Sequence, residues 1–141
     1  MVDCELCMRA GGDLLWRDED LRVVLVDDVD YPGFTRVIWN AHVAEMSELS
    51  ALQRVRLMDV VNAVESAQRA LLAPAKINLA SFGNMVPHLH WHVIPRWRDD
   101  AHFPHPVWGA RQREPEAAWR AARRAPLAEF RTDLTRRLEV L

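Results

Sequence analysis

Residues 88–94 read His-Leu-His-Trp-His-Val-Ile, with an imidazole at every second position and an apolar side chain between each pair. That alternation fits a strand, where successive side chains point to opposite faces. It places His88, His90 and His92 on one surface and turns Leu89, Trp91 and Val93 toward a core behind it. A slip of one residue would bury the histidines and expose the apolar set, so the register of this strand is pinned.

The remaining segments supply a sheet and helices for that strand to join. Leu21–Val26 is an apolar, β-branched run closed by Asp27-Asp28. Tyr31-Pro32-Gly33 is turn chemistry, and Thr35–Trp39 follows as a second strand. The whole of Asp13–Asn40 reads as β. Ser50 with Gln53 three residues on is a capping box, and Leu57, Val60, Val61, Val64, Ala67 and Leu71 recur behind it as one buried helical stripe. Pro74 ends that helix. Lys76–Phe82 is the next strand, Gly83-Asn84 a turn, and Leu89–Arg96 the strand that carries the histidines. Residues 99–108, stiffened by Pro104 and Pro106 with Phe103 and Trp108 between and beyond them, form an ordered loop. Glu116–Leu141 is helical, broken at Pro126, with Leu127, Phe130, Leu134, Leu138 and Leu141 as its apolar stripe. The order β-β-α-β-β-α predicts an α+β fold with an antiparallel sheet.

Bulk properties narrow the function. At 141 residues, 50% of them hydrophobic and 27% charged, the chain has the makings of one packed domain. Its net charge of −2 argues against a surface that tracks DNA or RNA, which needs a strongly basic balance. No apolar run approaches the ~20 residues of a spanning helix, and no export signal opens the chain. A soluble, cytoplasmic protein that binds neither nucleic acid nor membrane is the expectation. Only two cysteines occur, Cys4 and Cys7, too close together and too few for a disulfide framework.

The histidine row admits two chemistries. A neutral imidazole is a nucleophile, and a protonated one donates hydrogen bonds to anionic oxygen. Neighbouring imidazoles discourage each other's protonation, so one can attack while another donates. Histidines at alternate strand positions also hold zinc where a third ligand lies nearby. The residues by themselves leave both open.

The run resembles the signature of the histidine triad (HIT) family, in which three histidines alternate with apolar residues. The likeness extends through Gly83-Asn84-Met85-Val86-Pro87 before the triad and Pro95-Arg96 after it. It also takes in Tyr31-Pro32-Gly33, Val37-Ile38, His42, Ser47-Glu48-Leu49-Ser50 and the pair Cys4-x-x-Cys7, covering roughly residues 4–98. The resemblance is to bacterial nucleotide hydrolases of the diadenosine polyphosphate type. It implies about five antiparallel strands with a long helix packed on them, a domain over residues 1–108, and a C-terminal helical extension of that domain over 109–141.

By that resemblance His90 is the nucleophile, attacking the α-phosphorus of a dinucleoside polyphosphate or nucleoside phosphoramidate to form a covalent nucleotidyl-histidine. His92 bonds the phosphate and assists the leaving group, and His88 supports their network. Asn84 offers an amide to a phosphate oxygen, and Asp27 resembles the family's ribose-binding acid. Ser81 stands near a position commonly held by asparagine and completes the nucleotide-binding candidates. No cofactor is required, though a divalent ion can accompany a polyphosphate. Some members hold structural zinc, for which Cys4, Cys7 and His42, with His88 as a fourth ligand, are this chain's candidates. A homodimer is implied by the resemblance alone. Three departures stand out: Phe34 where many members have histidine, a short segment between Asn78 and Gly83, and a bulky Trp91. The first keeps a nucleotide-binding regulator with little turnover in view beside the hydrolase, and a hydrolase using the His row as metal ligands stands beside both.

Overall fold

The computed structural model describes residues 3–141. The capping box at Ser50 forms as its residues predict. Ser50 Oγ accepts from the Gln53 amide at 3.2 Å, and Gln53 Oε1 accepts from the Ser50 amide at 2.8 Å. These bonds satisfy donors that the first turn of α2 (Ala51–Leu72) would leave orphaned. The helix stops at Ala73, whose left-handed φ of 47° turns the chain into Pro74. Leu57, Val60, Val61, Val64 and Ala67 are fully buried along its inner face.

That face lies on a five-stranded antiparallel sheet of order β1-β2-β3-β5-β4, made of β1 (Asp13–Arg17), β2 (Leu21–Leu25), β3 (Thr35–Trp39), β4 (Lys76–Ala80) and β5 (His90–Arg96). Odd-numbered residues of the central strands, among them Leu21, Val23, Val37 and Val93, join α2 in the main core. Gly33, with a φ of 96°, permits the turn into β3: a Cβ there would collide with Leu72 of α2. After α3 (Ala117–Arg124), α4 (Leu127–Glu139) packs beside α2 and inserts Phe130, Leu134 and Leu138 into the same core. The last residue of its expected stripe, Leu141, lies beyond the end of the helix and is exposed.

The even-numbered face is covered differently. Arg22 reaches across it and donates to three carbonyl oxygens of the N-terminal segment, those of Leu6 (2.6 Å), Ala10 (2.9 Å) and Arg9 (3.1 Å). The segment, with its short helix α1 (Glu5–Met8), is thereby drawn over the sheet, where Cys4 and Leu6 pack on Val24 and Ile38. Two boundaries differ from the sequence reading: β4 stops at Ala80, and pairing of β5 begins at His90. Leu89 still contributes backbone bonds, donating to Val43 O and accepting from Trp39 N.

Candidate active site

In β5 the side chains of His90 and His92 fall on the even face, opposite Ile38 and Arg36 of β3 respectively. Beyond the edge of the N-terminal segment this face opens into a cleft of about 460 Å³. Arg36, His90 and His92 line it together with Leu6, Asn84 and Trp108. Apolar cover and a few convergent polar groups are what a small-molecule site requires.

The tautomer of His90 follows from its surroundings. Its Nδ1 lies 2.6 Å from the carbonyl oxygen of His88. A carbonyl can only accept, so the proton resides on Nδ1 and the lone pair on Nε2. Burial holds its pKa below the ordinary imidazole range against that hydrogen bond, with the Arg36 charge adding to the effect. His92 stands beside it, ring centroids 4.9 Å apart and planes nearly perpendicular. Burial first, then His90 and Arg36, push its pKa down to about 4. Both rings are therefore neutral near pH 7, a nucleophile's state.

His92 sits in an aromatic cage, with Phe34 edge-on at 5.6 Å and Trp108 at 5.0 Å. Phe34 stands where the family pattern often has histidine, and it offers no acceptor. His92 Nδ1 is buried without a hydrogen-bond partner. Trp108 comes from the loop after β5, so that loop reaches the cleft of its own chain. Its tip also meets Phe82, 5.0 Å away.

His88 shares the strand face of the other two, as the alternation predicts, but its ring takes no part in lining the cleft. It is fully buried beneath the N-terminal segment, and only its backbone carbonyl reaches His90. The ring's Nε2 lies 2.5 Å from Trp39 O and must donate to it. Nδ1, left with its lone pair, faces Cys4 Sγ at 3.3 Å and Cys7 Sγ at 3.4 Å, and His42 Nδ1 lies 3.4 Å from Cys7 Sγ. All four donor atoms fall within 4.8 Å of one another. Tetrahedral zinc with its usual bond lengths separates such donors by about 3.4–3.8 Å. Two thiols and two imidazoles at these spacings fit that ion, and His90 and His92 stand outside the group.

The other expected residues are placed unevenly. Asn84 is at the rim of the cleft, exposed, following Gly83 with its φ of 71°. Ser81 donates from Oγ to the carbonyl of His90 at 2.7 Å and lines a neighbouring cleft rather than this one. Asp27 is exposed past the end of β2 and is not among the residues lining the cleft. β2 ends at Leu25, and the turn through Asp28–Tyr31 carries Asp27 aside. The sequence reading passed over Arg36, because its significance depends on which strand pairs with β3. A charged residue in an otherwise apolar strand was the available signal.

The HIT domain family matches residues 10–99. A curated relative, AP-4-A phosphorylase from Mycobacterium tuberculosis, is 31% identical over 78 residues, which covers 51% of this chain and 40% of the relative. The chain thus spans less than half the length of the relative it matches. Among solved structures, a histidine triad protein from Sinorhizobium meliloti 1021 superposes with a TM-score of 0.70 at 29% identity, covering 100% of this chain and 99% of that one. A zinc-bound histidine triad family protein from Mycobacterium smegmatis shares the fold at a TM-score of 0.63 and 21% identity, covering 99% of each chain. No described helix is long and apolar enough to cross a membrane. With the domain match running from the N-terminal segment past the whole of β5, this chain belongs to the HIT family.

Proposed function

We propose that the chain is a nucleotide-processing enzyme that transfers a nucleotidyl group through His90. The observation that carries this reading is the bond from His90 Nδ1 to the carbonyl of His88, which leaves the lone pair on Nε2 in a cleft that also holds His92 and Arg36. In the first step Nε2 attacks the α-phosphorus, an N–P bond forms, and the bridging P–O or P–N bond breaks, its electron pair leaving with the departing group. In the second step water attacks the same phosphorus, the N–P bond breaks, and a nucleoside monophosphate and a proton are released. Covalent catalysis divides one hard displacement into two easier ones. His92 and the Asn84 amide bond the phosphate oxygens.

Water as acceptor makes the enzyme a hydrolase, and phosphate as acceptor a phosphorylase such as the curated relative is named. His90→Asn should abolish turnover of dinucleoside polyphosphates and nucleoside phosphoramidates, while calorimetry still shows AMP binding. Near-normal turnover by the pure variant overturns the assignment.

The cluster of Cys4, Cys7, His42 and His88 is read as a structural zinc site on its donor set and spacing, and a histidine triad protein of the same fold is zinc-bound. The ion would supply a crosslink between the N-terminal segment and the strand entry, with Cys4 and Cys7 as thiolates and His88 ligating through Nδ1. Metal analysis of the purified protein tests this: about one zinc per chain, lost together in Cys4→Ser and His42→Ala, is the expected result. A homodimer in the cytoplasm completes the reading, and sedimentation of the purified chain tests the first part.

A further inference from the structure

Among the described residues, Arg36 has no ion-pair partner. Its side chain is half-buried, and the acceptor found for it is the carbonyl of Gly11, 2.9 Å from Nη1. Nε is buried with no partner. Glu5 of α1, which also lines the cleft, favours its charge but makes no hydrogen bond or ion pair with it among the described residues. A guanidinium has five donors in a planar fork, and removing it from water without a counter-charge costs several kcal/mol. Such a cost is tolerated where an anionic ligand completes the pairing, and Arg36 lines the cleft in which a phosphate would react.

Its position along that cleft is informative. Arg36 lies directly across the ladder from His92, two residue pairs along from Ile38 and His90 and on the same face. Side chains paired in this way stand about 5 Å apart at Cβ. With His92 read as the residue that assists the leaving group, Arg36 stands on the departing group's side of the attacking nitrogen. We infer that Arg36 grips the departing phosphate chain, making phosphoanhydrides, rather than phosphoramidates, the substrate class this cleft favours.

The inference rests on the reading of His90 as nucleophile and gives it a substrate. When an anhydride is attacked, the electron pair of the broken P–O bond leaves on a phosphate oxygen, and a fixed cation stabilises that charge without any proton transfer. When a phosphoramidate is attacked, the departing amine instead needs a proton. Arg36 gives nothing to an amine, and its charge helps keep His92, the nearest donor, unprotonated.

The test compares Arg36→Gln and Arg36→Lys with the parent chain, each checked for folding by thermal melting. Calorimetry with inorganic tripolyphosphate measures the grip without catalysis, and kcat/KM is taken on diadenosine tetraphosphate and on adenosine 5′-phosphoramidate. Arg36→Gln is expected to weaken tripolyphosphate at least tenfold. It should lower the anhydride rate by about a hundredfold, as loss of a charge-stabilising donor does. The ratio of anhydride to phosphoramidate kcat/KM should fall at least tenfold, and Arg36→Lys should recover part of it. Unchanged tripolyphosphate affinity, or an equal loss on both substrates, overturns the assignment. Should the parent turn over neither substrate, the reading of His90 fails, while the tripolyphosphate comparison still decides whether Arg36 binds the phosphate chain.

Discussion

Arg36 and Arg96 lie on the same face of the sheet, on strands that pair with each other, and they are treated in opposite ways. Arg96 is almost fully buried, and each of its guanidinium nitrogens has a partner. It donates to Asp100 Oδ2 at 2.8 Å and Oδ1 at 3.1 Å, to Asn78 Oδ1 at 2.8 Å and to the His105 carbonyl at 2.6 Å. Asp100, fully buried, also accepts from the amides of Trp97, His102 and Phe103 and from the Tyr31 hydroxyl. Burial alone would raise its carboxyl, but the Arg96 guanidinium and the backbone amides hold it below the usual carboxylate range. This hub anchors the loop that brings Trp108 to His92. Arg36 has one carbonyl acceptor and lines the cleft. Where every guanidinium nitrogen is answered from within the chain, an arginine is structure; where a buried nitrogen is left over at a cleft, it is positioned for a ligand.

Breaking the hub should have the largest effect. Asp100→Ala leaves a buried guanidinium uncompensated and is expected to cost about 3–5 kcal/mol of unfolding free energy. Denaturant titration measures this, and AMP affinity should fall as the loop loses its anchor. The matching change at the other end, Arg36→Met, is expected to leave stability unchanged or raise it, because no ion pair is broken and a half-buried guanidinium without a counter-charge is removed. A loss as large as that of Asp100→Ala would erase the distinction between the two arginines.

A smaller effect is expected at Phe34. Replacing it with histidine gives His92 Nδ1 an acceptor, favouring the protonated ring and raising its pKa from about 4. An unfolded histidine titrates near ~6.5, so the unfolded chain takes up this proton first. The parent should therefore lose stability as pH falls through that window and level off below it. Phe34→His should lose less over the same range, and its acid limb of kcat/KM should move up. Urea titrations and kcat/KM profiles between pH 4 and 7, run on both proteins, check both shifts; identical curves would show that Nδ1 gained no partner.

What could be read in the chain beforehand follows how local each signal is. The alternation in residues 88–94, the Ser50–Gln53 box and the Tyr31-Pro32-Gly33 turn depend on neighbours a few positions away, and each forms as expected. Arg36 depends on strand pairing across more than fifty residues, and Asp100 on a partner web that ties Tyr31 to His102. The His88 ring is claimed by Cys4 and Cys7 from the far end of the chain, so a pattern that unites three histidines in sequence separates one of them in space. Asp27 was carried by resemblance, and the local course of the chain after β2 leaves it outside the cleft lining.

The central claim is that His90 Nε2 becomes bonded to phosphorus. Mixing enzyme with diadenosine tetraphosphate, quenching within milliseconds without acid, and mapping the peptides by mass spectrometry tests it directly. The account predicts one adenylyl group, carried on His90 and absent from His88 and His92. Steady turnover with no adduct at any quench time, or an adduct on another residue, would contradict it.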